Sequence, residues 1–463
     1  MLDRVWIPSL SQRESLEFQV LEPRFNDAGE IDLRYAIRDV EGGETAQFVE
    51  QIRLPGQDVG VSAEGTVQRW VRLLALAAST SYYKALIPPR FVVEWALTDG
   101  EREFLTDLLR QGLAEFAYRN NVPEALRPQI VAESAGSPDD GVAADVEDAA
   151  DGNAAPAPAR ALVAVGGGKD SIVSIETLRR LPVQMSLFSV NEYAPIRATA
   201  DQAGIELLVA TRRLDSGLFE LNSNGALNGH VPVTAINSLI ACLSALRLGY
   251  DAVIFSNESS SSSGNVEWEG VDVNHQWSKG VEFEGALREV LGAGGVEYFS
   301  MLRPLTELAI ARRFARLTDY HSVFTSCNRA FHLDPQKRRL WCGECPKCRF
   351  VFLILGPFLP REQLLAIFSG RDLFADPAQR EGFLELLNVG GRLKPFECVG
   401  EVNECRAAVT MLLEHPDWAD HPFLTDPEIA GTVVPQQLIE GLFAGQAPHF
   451  VPASFEEALR EVH

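Results

Sequence analysis

The chain has 463 residues, of which 46% are hydrophobic and 23% charged, a composition typical of a globular protein with room for two or three domains. Its formal net charge of −23 weighs against tight binding to nucleic acid, which depends on lysine and arginine replacing counterions. A long apolar segment is missing near the amino terminus, and seven cysteines, an odd number, do not suggest a secreted disulfide framework. We therefore expect a cytoplasmic protein that binds neither nucleic acid nor a membrane.

Residues 1–133 are predicted to form an α+β domain. The segments "LEFQVLEPRF" and "IDLRYAI", joined by the turn "NDAGE", have the pattern of a strand pair. Apolar periodicity then predicts a helix in "TVQRWVRLLALAASTSYYKALIP", a strand in "PRFVVEWAL" and a helix in "EREFLTDLLRQGLAEFAYRN". Residues 134–160 are rich in Ala, Asp, Gly and Pro and nearly devoid of large apolar residues. They predict a flexible linker.

Residues 161–350 alternate between apolar strand patterns and helical patterns. The predicted strands are "ALVAV", "VQMSLFSV", "IELLVA" and "DAVIFS", with helices between successive strands. Such alternation predicts βαβ units and an α/β fold with a doubly wound parallel sheet. Residues 351–463 predict a mainly helical C-terminal region.

The stretch "LVAVGGGKDSIVSIE", residues 162–176, predicts a strand, a tight turn and a helix. Glycines let the backbone approach a ligand closely, and the first turn of a helix offers unpaired N–H groups to an anion, phosphate above all. The turn does not match a Walker A loop, because Asp170 follows Lys169 and Val163 stands where the earlier glycine belongs. It does not match the dinucleotide fingerprint either, because Ser171 occupies the third glycine position.

In this β–α context, "GGGKDS" resembles the SGGxDS loop of the PP-loop ATP pyrophosphatases. The resemblance implies that ATP is cleaved between its α and β phosphates, with transfer of AMP to an oxygen and release of pyrophosphate. Gly166 replaces the usual serine, and Lys169 is a candidate to compensate for the lost hydroxyl. Asp170 is expected to help position Mg²⁺, and Arg303 to contact a phosphate or a carboxylate. The predicted nucleotide-binding residues are Gly166, Gly167, Gly168, Lys169, Asp170, Ser171 and Arg303.

Four cysteines are predicted to bind a metal ion: Cys327, Cys342, Cys345 and Cys348. Their spacing, C-x14-C-x2-C-x2-C, suits a tetrahedral structural zinc. An iron–sulfur cluster and metal-free thiols remain alternatives, because thiolate spacing alone does not exclude them. Cys242 lies on an apolar helix face and is predicted to be a core residue.

The segments "AVGGGKDSIVSIE", "SNESS", "NHQWSKG" and "CGECPKC", in this order behind a long N-terminal region, resemble the MurL epimerases. The resemblance implies inversion of the terminal L-glutamate of UDP-N-acetylmuramoyl-L-alanyl-L-glutamate, with ATP and Mg²⁺ consumed to AMP and pyrophosphate. It places the chain in peptidoglycan precursor synthesis, with a small-molecule UDP-muramoyl dipeptide as its partner. The core would then be that of a PP-loop, adenine nucleotide alpha hydrolase-like protein.

ATP has a chemical purpose in such an inversion. An α-hydrogen beside a carboxylate is hard to remove, and adenylation cancels the negative charge, so that an ordinary general base suffices. His275 is the first candidate for that base because a histidine pKa lies near working pH, although a hydrogen-bonded loop histidine is the plain alternative. Glu258 and Lys279 are the next candidates. Nearby, Glu267, Glu269 and Asp272 form either a solvated face or Mg²⁺ ligands.

Other functions remain open from the sequence. One is a PP-loop ligase or synthase that adenylates a small carboxylate, similar to the 7-cyano-7-deazaguanine synthases. A tRNA-thiolating enzyme would also use cysteines, but the charge of −23 argues against an RNA substrate. A non-enzymatic nucleotide-sensing module is the third, and Asp170 counts against it.

Overall fold

A computed structural model describes most of the chain. Residues 136–157, which make up most of the predicted linker, lie outside the described residues. Within the described part, no helix is both long enough and apolar enough to cross a membrane. The described ranges are 10–26, 28–40, 43–56, 65–135, 158–292, 294–332, 335–445 and 447–460.

A ten-stranded sheet forms the centre of the described structure, in the order β12-β9-β6-β7-β8-β3-β2-β1-β4-β5. The first five strands in this order are parallel, which confirms the predicted parallel α/β architecture. Two further short strands, β10 and β11, pair as a separate hairpin. The strands are β1 Leu16–Phe25, β2 Ile31–Asp39, β3 Gly43–Arg53, β4 Arg90–Val93, β5 Gln129–Val131, β6 Arg160–Ala164, β7 Gln184–Val190, β8 Leu207–Arg213, β9 Ala252–Phe255, β10 Val266–Trp268, β11 Val271–Val273 and β12 Glu297–Ser300.

Helices cover both faces of this sheet, and the described residues beyond 350 contain helices without strands, as predicted. The one long helix predicted for "EREFLTDLLRQGLAEFAYRN" is wrong, because the structure divides it into α2 and α3 at Gly112. A Cβ at Gly112 would lie 2.9 Å from Pro232, so the break coincides with a close packing contact. The helices are α1 Thr66–Tyr83, α2 Asp99–Arg110, α3 Ala114–Asn120, α4 Lys169–Leu178, α5 Ala194–Ala203, α6 Ser216–Ser223, α7 Val233–Leu248, α8 Val281–Leu291, α9 Glu307–Phe314, α10 Pro346–Leu355, α11 Arg361–Ile367, α12 Arg380–Leu386, α13 Val402–Glu414, α14 Pro427–Ala430, α15 Gln436–Phe443 and α16 Ala453–Arg460.

Strand β6 shows why an unbroken apolar run forms the middle of the sheet. Leu162 is buried in a core that includes α1 and α7, whereas Ala161 and Val163 are buried in a second core that includes α4, α9 and α10. Successive side chains of a strand point to opposite faces, so a central strand covered on both faces must be apolar throughout.

The N-terminal strands do not form a sheet of their own. Strand β3 pairs antiparallel with β8, so one sheet joins the N-terminal region to the parallel strands. A buried ion pair accompanies the junction: Arg212 Nε donates to Glu50 Oε1 at 2.7 Å, and Glu50 is fully buried. Burial would lower the pKa of Arg212, but the Glu50 carboxylate raises it. The predicted domain boundaries remain predictions, and the sheet and its core run across the first of them.

The strand order creates a crevice at the carboxyl ends of the central parallel strands. From β6 the chain adds β7 and β8 on one side and later places β9 and β12 on the other. Ligands bind in parallel α/β sheets outside the carboxyl ends of the strands, where the order of strands reverses. The glycine turn that follows β6 lies at this position.

Candidate active site

A cavity of about 460 Å³ opens at the carboxyl ends of β6, β7 and β9. It collects four of the charged side chains that the sequence singled out, together with several residues that it did not. Chemically important residues that line it include Gly166, Gly168, Lys169, Asp170, Ser171, Glu258, Lys279, Glu307, Lys347 and Cys398.

The glycine turn is shaped by close packing. Gly167 has a φ of +79°, and a Cβ there would lie 3.1–3.2 Å from three atoms of Pro195. Its carbonyl accepts a hydrogen bond from the Thr325 N–H at 2.8 Å. A Cβ on Gly166, by contrast, would meet no atom within 4 Å. Gly167 is therefore the position at which the turn requires glycine.

Lys169 begins helix α4 and is only 2% exposed. Its ammonium donates to the carboxylates of Asp170 and Glu307. Burial alone would lower the pKa of Lys169, but these two carboxylates raise it, so the ammonium stays charged. A fixed cation thus lies at the amino end of a helix, beside N–H groups that already favour an anion.

Buried carboxyl groups lie next to that cation. Burial and the charge of Asp170 raise the pKa of Glu258, whereas at Glu307 the Lys169 ammonium opposes the rise in pKa that burial causes. Behind them, burial raises the pKa of Glu404 to about 7. The Asp170 side chain is 28% exposed and is the most open of these groups. The cavity thus combines a permanent cation with acids whose protons are retained to higher pH than usual.

Arg303 does not reach the cavity. Its guanidinium donates to the Glu258 carbonyl at 2.7 Å, to Ser261 Oγ at 2.8 Å, to Glu284 Oε2 at 2.9 Å and to the Lys279 carbonyl. The side chain is 1% exposed. Arg303 therefore holds together the segments that carry Glu258 and Lys279.

His275 also lies behind the cavity wall and not among its lining residues. Its Nδ1 lies 2.5 Å from Glu115 Oε2, and its ring also interacts with Cys398. Burial would lower the pKa of His275, but Cys398 and Glu115 raise it to about 9. The other predicted candidates for the base, Glu258 and Lys279, do line the cavity.

Cys398 is the functional candidate that the sequence did not reveal. Its thiol lines the cavity and accepts a hydrogen bond from Lys279 Nζ at 3.2 Å. Burial would raise the pKa of Cys398, but Lys279, His275 and Lys347 lower it to about 5. Nothing in the sequence distinguishes it, because Cys242 and Cys405 are also isolated thiols outside the four-cysteine group.

The four predicted metal-binding cysteines converge. Their sulfur atoms all lie within 4.8 Å of one another, with contacts of 3.5 Å for Cys345–Cys348, 3.7 Å for Cys342–Cys348 and 3.9 Å for Cys345–Cys327. Four thiolates at about 2.3 Å from one tetrahedral ion would be about 3.8 Å apart. The arrangement therefore fits a single zinc ion.

This cysteine site adjoins the glycine turn. Cys327 directly follows Thr325 and Ser326, and Ser326 Oγ would be 3.1 Å from a Cβ on Gly168. Lys347, which lies between Cys345 and Cys348, lines the cavity.

The acidic side chains of Glu267, Glu269 and Asp272 lie in the β10–β11 hairpin region and are exposed to solvent. Their exposure supports the interpretation of these residues as a solvated face.

Comparison with known proteins identifies the family. Residues 10–301 match the family model of the MurL N-terminal domain, and residues 323–437 match that of the MurL C-terminal domain. The chain belongs to the MurL family. No solved structure matches the chain significantly.

Named relatives within the MurL family are called UDP-N-acetyl-alpha-D-muramoyl-L-alanyl-L-glutamate epimerase. The Salinispora tropica protein is 44% identical, with 93% of this chain and 92% of the relative covered. The Micromonospora sp. protein is 44% identical, with 94% and 95% covered. The Xanthomonas oryzae pv. oryzae protein is 40% identical, with 89% and 91% covered. The chain is therefore an enzyme of the epimerase class.

The glycine turn of this MurL family member gives a matched pair of stability tests. Gly167→Ala should lower the free energy of unfolding by about 1–2 kcal/mol or more, because a Cβ is disfavoured at positive φ and has no room beside Pro195. Gly166→Ala should change it by less than about 0.5 kcal/mol. Urea unfolding of both variants measures the difference, and equal losses would contradict the assigned geometry.

The cysteine site predicts a link between metal and stability. We expect about one zinc per chain in the purified protein, and Cys345→Ser should lower the zinc content and the melting temperature by several degrees together. Cys242→Ala is the control, because this thiol is buried in the other core, and it should keep its zinc. Elemental analysis and thermal unfolding test this. Zinc-free wild-type protein, or iron in place of zinc, would refute it.

Proposed function

We propose that this chain inverts the terminal L-glutamate of UDP-N-acetyl-α-D-muramoyl-L-alanyl-L-glutamate, and that it uses ATP to activate the glutamyl α-carboxylate. The names of the relatives support the substrate and the inversion. The observation that supports ATP is the glycine turn ahead of α4, which has a buried ammonium at its head and opens into the same cavity as the acid–base groups. Both ATP and the muramoyl dipeptide would be cytoplasmic metabolites in peptidoglycan precursor synthesis.

The turn is suited to the ATP phosphates. The first N–H groups of α4 have no partner within the helix and attract negative charge. Lys169 adds a full positive charge that Asp170 and Glu307 keep in place. Mg²⁺, when bound, would neutralise phosphate charge, and Asp170 offers it the most accessible carboxylate of the cluster.

Charge explains why the carboxylate needs activation. Removing the α-hydrogen beside a carboxylate would place two negative charges on adjacent atoms, whereas the mixed anhydride with AMP leaves only one. The glutamate nitrogen is part of an amide, so it cannot form a Schiff base. Hydrolysis of the anhydride after inversion would make the reaction effectively one-way, because the energy of ATP is released in that step.

The cysteine site has a supporting part in this proposal. Four thiolates that converge on one point suit zinc and leave little room for a cluster with its own sulfides. Such an ion would hold Cys327, and through the neighbouring Thr325 and Ser326 it would hold the glycine turn. The zinc would thus act on structure and take no part in the chemistry.

The experiment is a product analysis with ATP, Mg²⁺ and the UDP-muramoyl dipeptide. We expect AMP and pyrophosphate in step with D-glutamate, and we expect Asp170→Asn to lower pyrophosphate release at least about 100-fold, because the electrostatics at the phosphates are altered. Asp201→Asn, which changes an exposed aspartate at the end of α5, is the matched control.

Two outcomes would contradict this function. Formation of ADP and orthophosphate would refute cleavage between the α and β phosphates. Pyrophosphate release that requires ammonia, with no change in glutamate configuration, would favour a ligase. Near-normal turnover by Asp170→Asn would refute the phosphate assignment alone.

A further inference from the structure

The thiol of Cys398 lies in an environment unlike that of the chain's other isolated cysteines. Burial raises the pKa of Cys242 and of Cys405, as expected for a thiol in an apolar core. Cys398 is half-buried at the cavity wall, and its pKa moves in the opposite direction, to about 5. The difference is the ammonium of Lys279, which donates to the sulfur at 3.2 Å.

The residues around Cys398 form a chain of polar contacts that ends at the cavity. Arg119 donates to Glu115 at 2.7 Å, Glu115 bonds His275 Nδ1 at 2.5 Å, and the His275 ring interacts with the Cys398 thiol. Because Nδ1 is engaged by Glu115 and the ring lies behind the wall, His275 acts on the sulfur and not on a ligand.

The charged groups that face Cys398 come from several elements. Lys279 and His275 approach from the segment after β11, and Lys347 from α10. Near Lys347, the carboxylate of Glu397 lies at 3.8 Å from its Nζ, so part of that positive charge is compensated. Lys279 itself is held through its carbonyl by Arg303. Lys279 donates directly to the sulfur, and a cation in this position favours thiolate over thiol.

We propose that the Cys398 thiolate is the general base that removes the α-hydrogen of the L-glutamyl residue, with Lys279 and His275 as positioning residues that keep the sulfur charged. The proposal rests on the proposed function and deepens it. A base must be unprotonated before the substrate reacts, and Cys398 meets this condition inside the cavity that holds the glycine turn.

The step balances with one further residue. The sulfur takes the α-hydrogen as a proton, and the C–H electron pair moves into the bond to the activated carboxyl carbon, so that the charge reaches the carboxyl oxygen. Inversion requires a proton from the opposite face, and Glu258 is the buried acid of the same cavity. Water then cleaves the acyl–phosphate link, and both residues exchange protons with solvent to regain their starting states.

Variants of Cys398 and of Glu258 should show different defects when they are assayed in D₂O with ATP, Mg²⁺ and the UDP-muramoyl dipeptide. Cys398→Ser and Cys398→Ala should lose α-deuterium uptake and inversion by about 10²–10⁴-fold, while single-turnover pyrophosphate release stays within about tenfold of wild type. Glu258→Gln should take up deuterium but keep the L configuration, because the base returns deuterium to the face it came from. Cys242→Ala is the control and should match wild type.

The outcomes separate this proposal from the function on which it rests. Wild-type exchange and inversion in both Cys398 variants overturn the assignment of the base and leave the function standing. A wild-type chain that releases no pyrophosphate with this substrate overturns the proposed function and the base with it.

A labelling experiment on the wild-type chain does not depend on variant folding. At pH 5.5, iodoacetamide should alkylate Cys398 at least about tenfold faster than an ordinary thiol, whose pKa is near 8.5, because the larger thiolate fraction outweighs the lower nucleophilicity of a less basic thiolate. Lys279→Met should slow the labelling, and bound substrate should protect Cys398. Alkylation of Cys398 only above pH 8, read by peptide mass spectrometry, overturns the proposal.

Discussion

The buried ammonium of Lys169 is the constraint around which the site is organised. A charge withdrawn from water is tolerated only when it is paired, and Asp170 and Glu307 provide the partners. That pairing ties the start of α4 to the start of α9, and it draws buried carboxyl groups to the head of the parallel sheet. Burial raises the pKa of Glu258, so the cavity places a fixed cation beside a carboxyl group that holds its proton to higher pH than usual.

The segments that close the cavity come from distant parts of the chain. The glycine turn follows β6, Glu258 follows β9, and Cys398 precedes α13. The four-cysteine site is the neighbour that stabilises this convergence, because Thr325, two residues before Cys327, donates to the carbonyl of Gly167. Loss of the proposed zinc would therefore loosen the turn that is expected to hold phosphate, although no cysteine of that site needs to touch a substrate.

Local patterns predicted much of this arrangement. Alternating apolar runs indicated the parallel sheet, glycines after a strand indicated the turn, and the spacing of Cys342, Cys345 and Cys348 indicated their convergence with Cys327. Contacts between distant residues were not predictable: β3 joins β8, and Glu115 pairs with His275 across 160 positions. Cys398 was missed because its character comes from Lys279, which is 119 positions away. Periodicity and motif spacing carry no information about such pairs.

The most direct measurement follows one oxygen atom. If the glutamyl α-carboxylate attacks ATP, that carboxylate forms the link to phosphorus, and hydrolysis at the acyl carbon leaves its oxygen on AMP. Substrate labelled with ¹⁸O in that carboxylate alone should therefore yield AMP that carries one ¹⁸O atom for each D-glutamate formed, as read by mass spectrometry. Inversion that proceeds without ATP would contradict activation of the carboxylate, and unlabelled AMP would contradict hydrolysis of the anhydride at its acyl carbon.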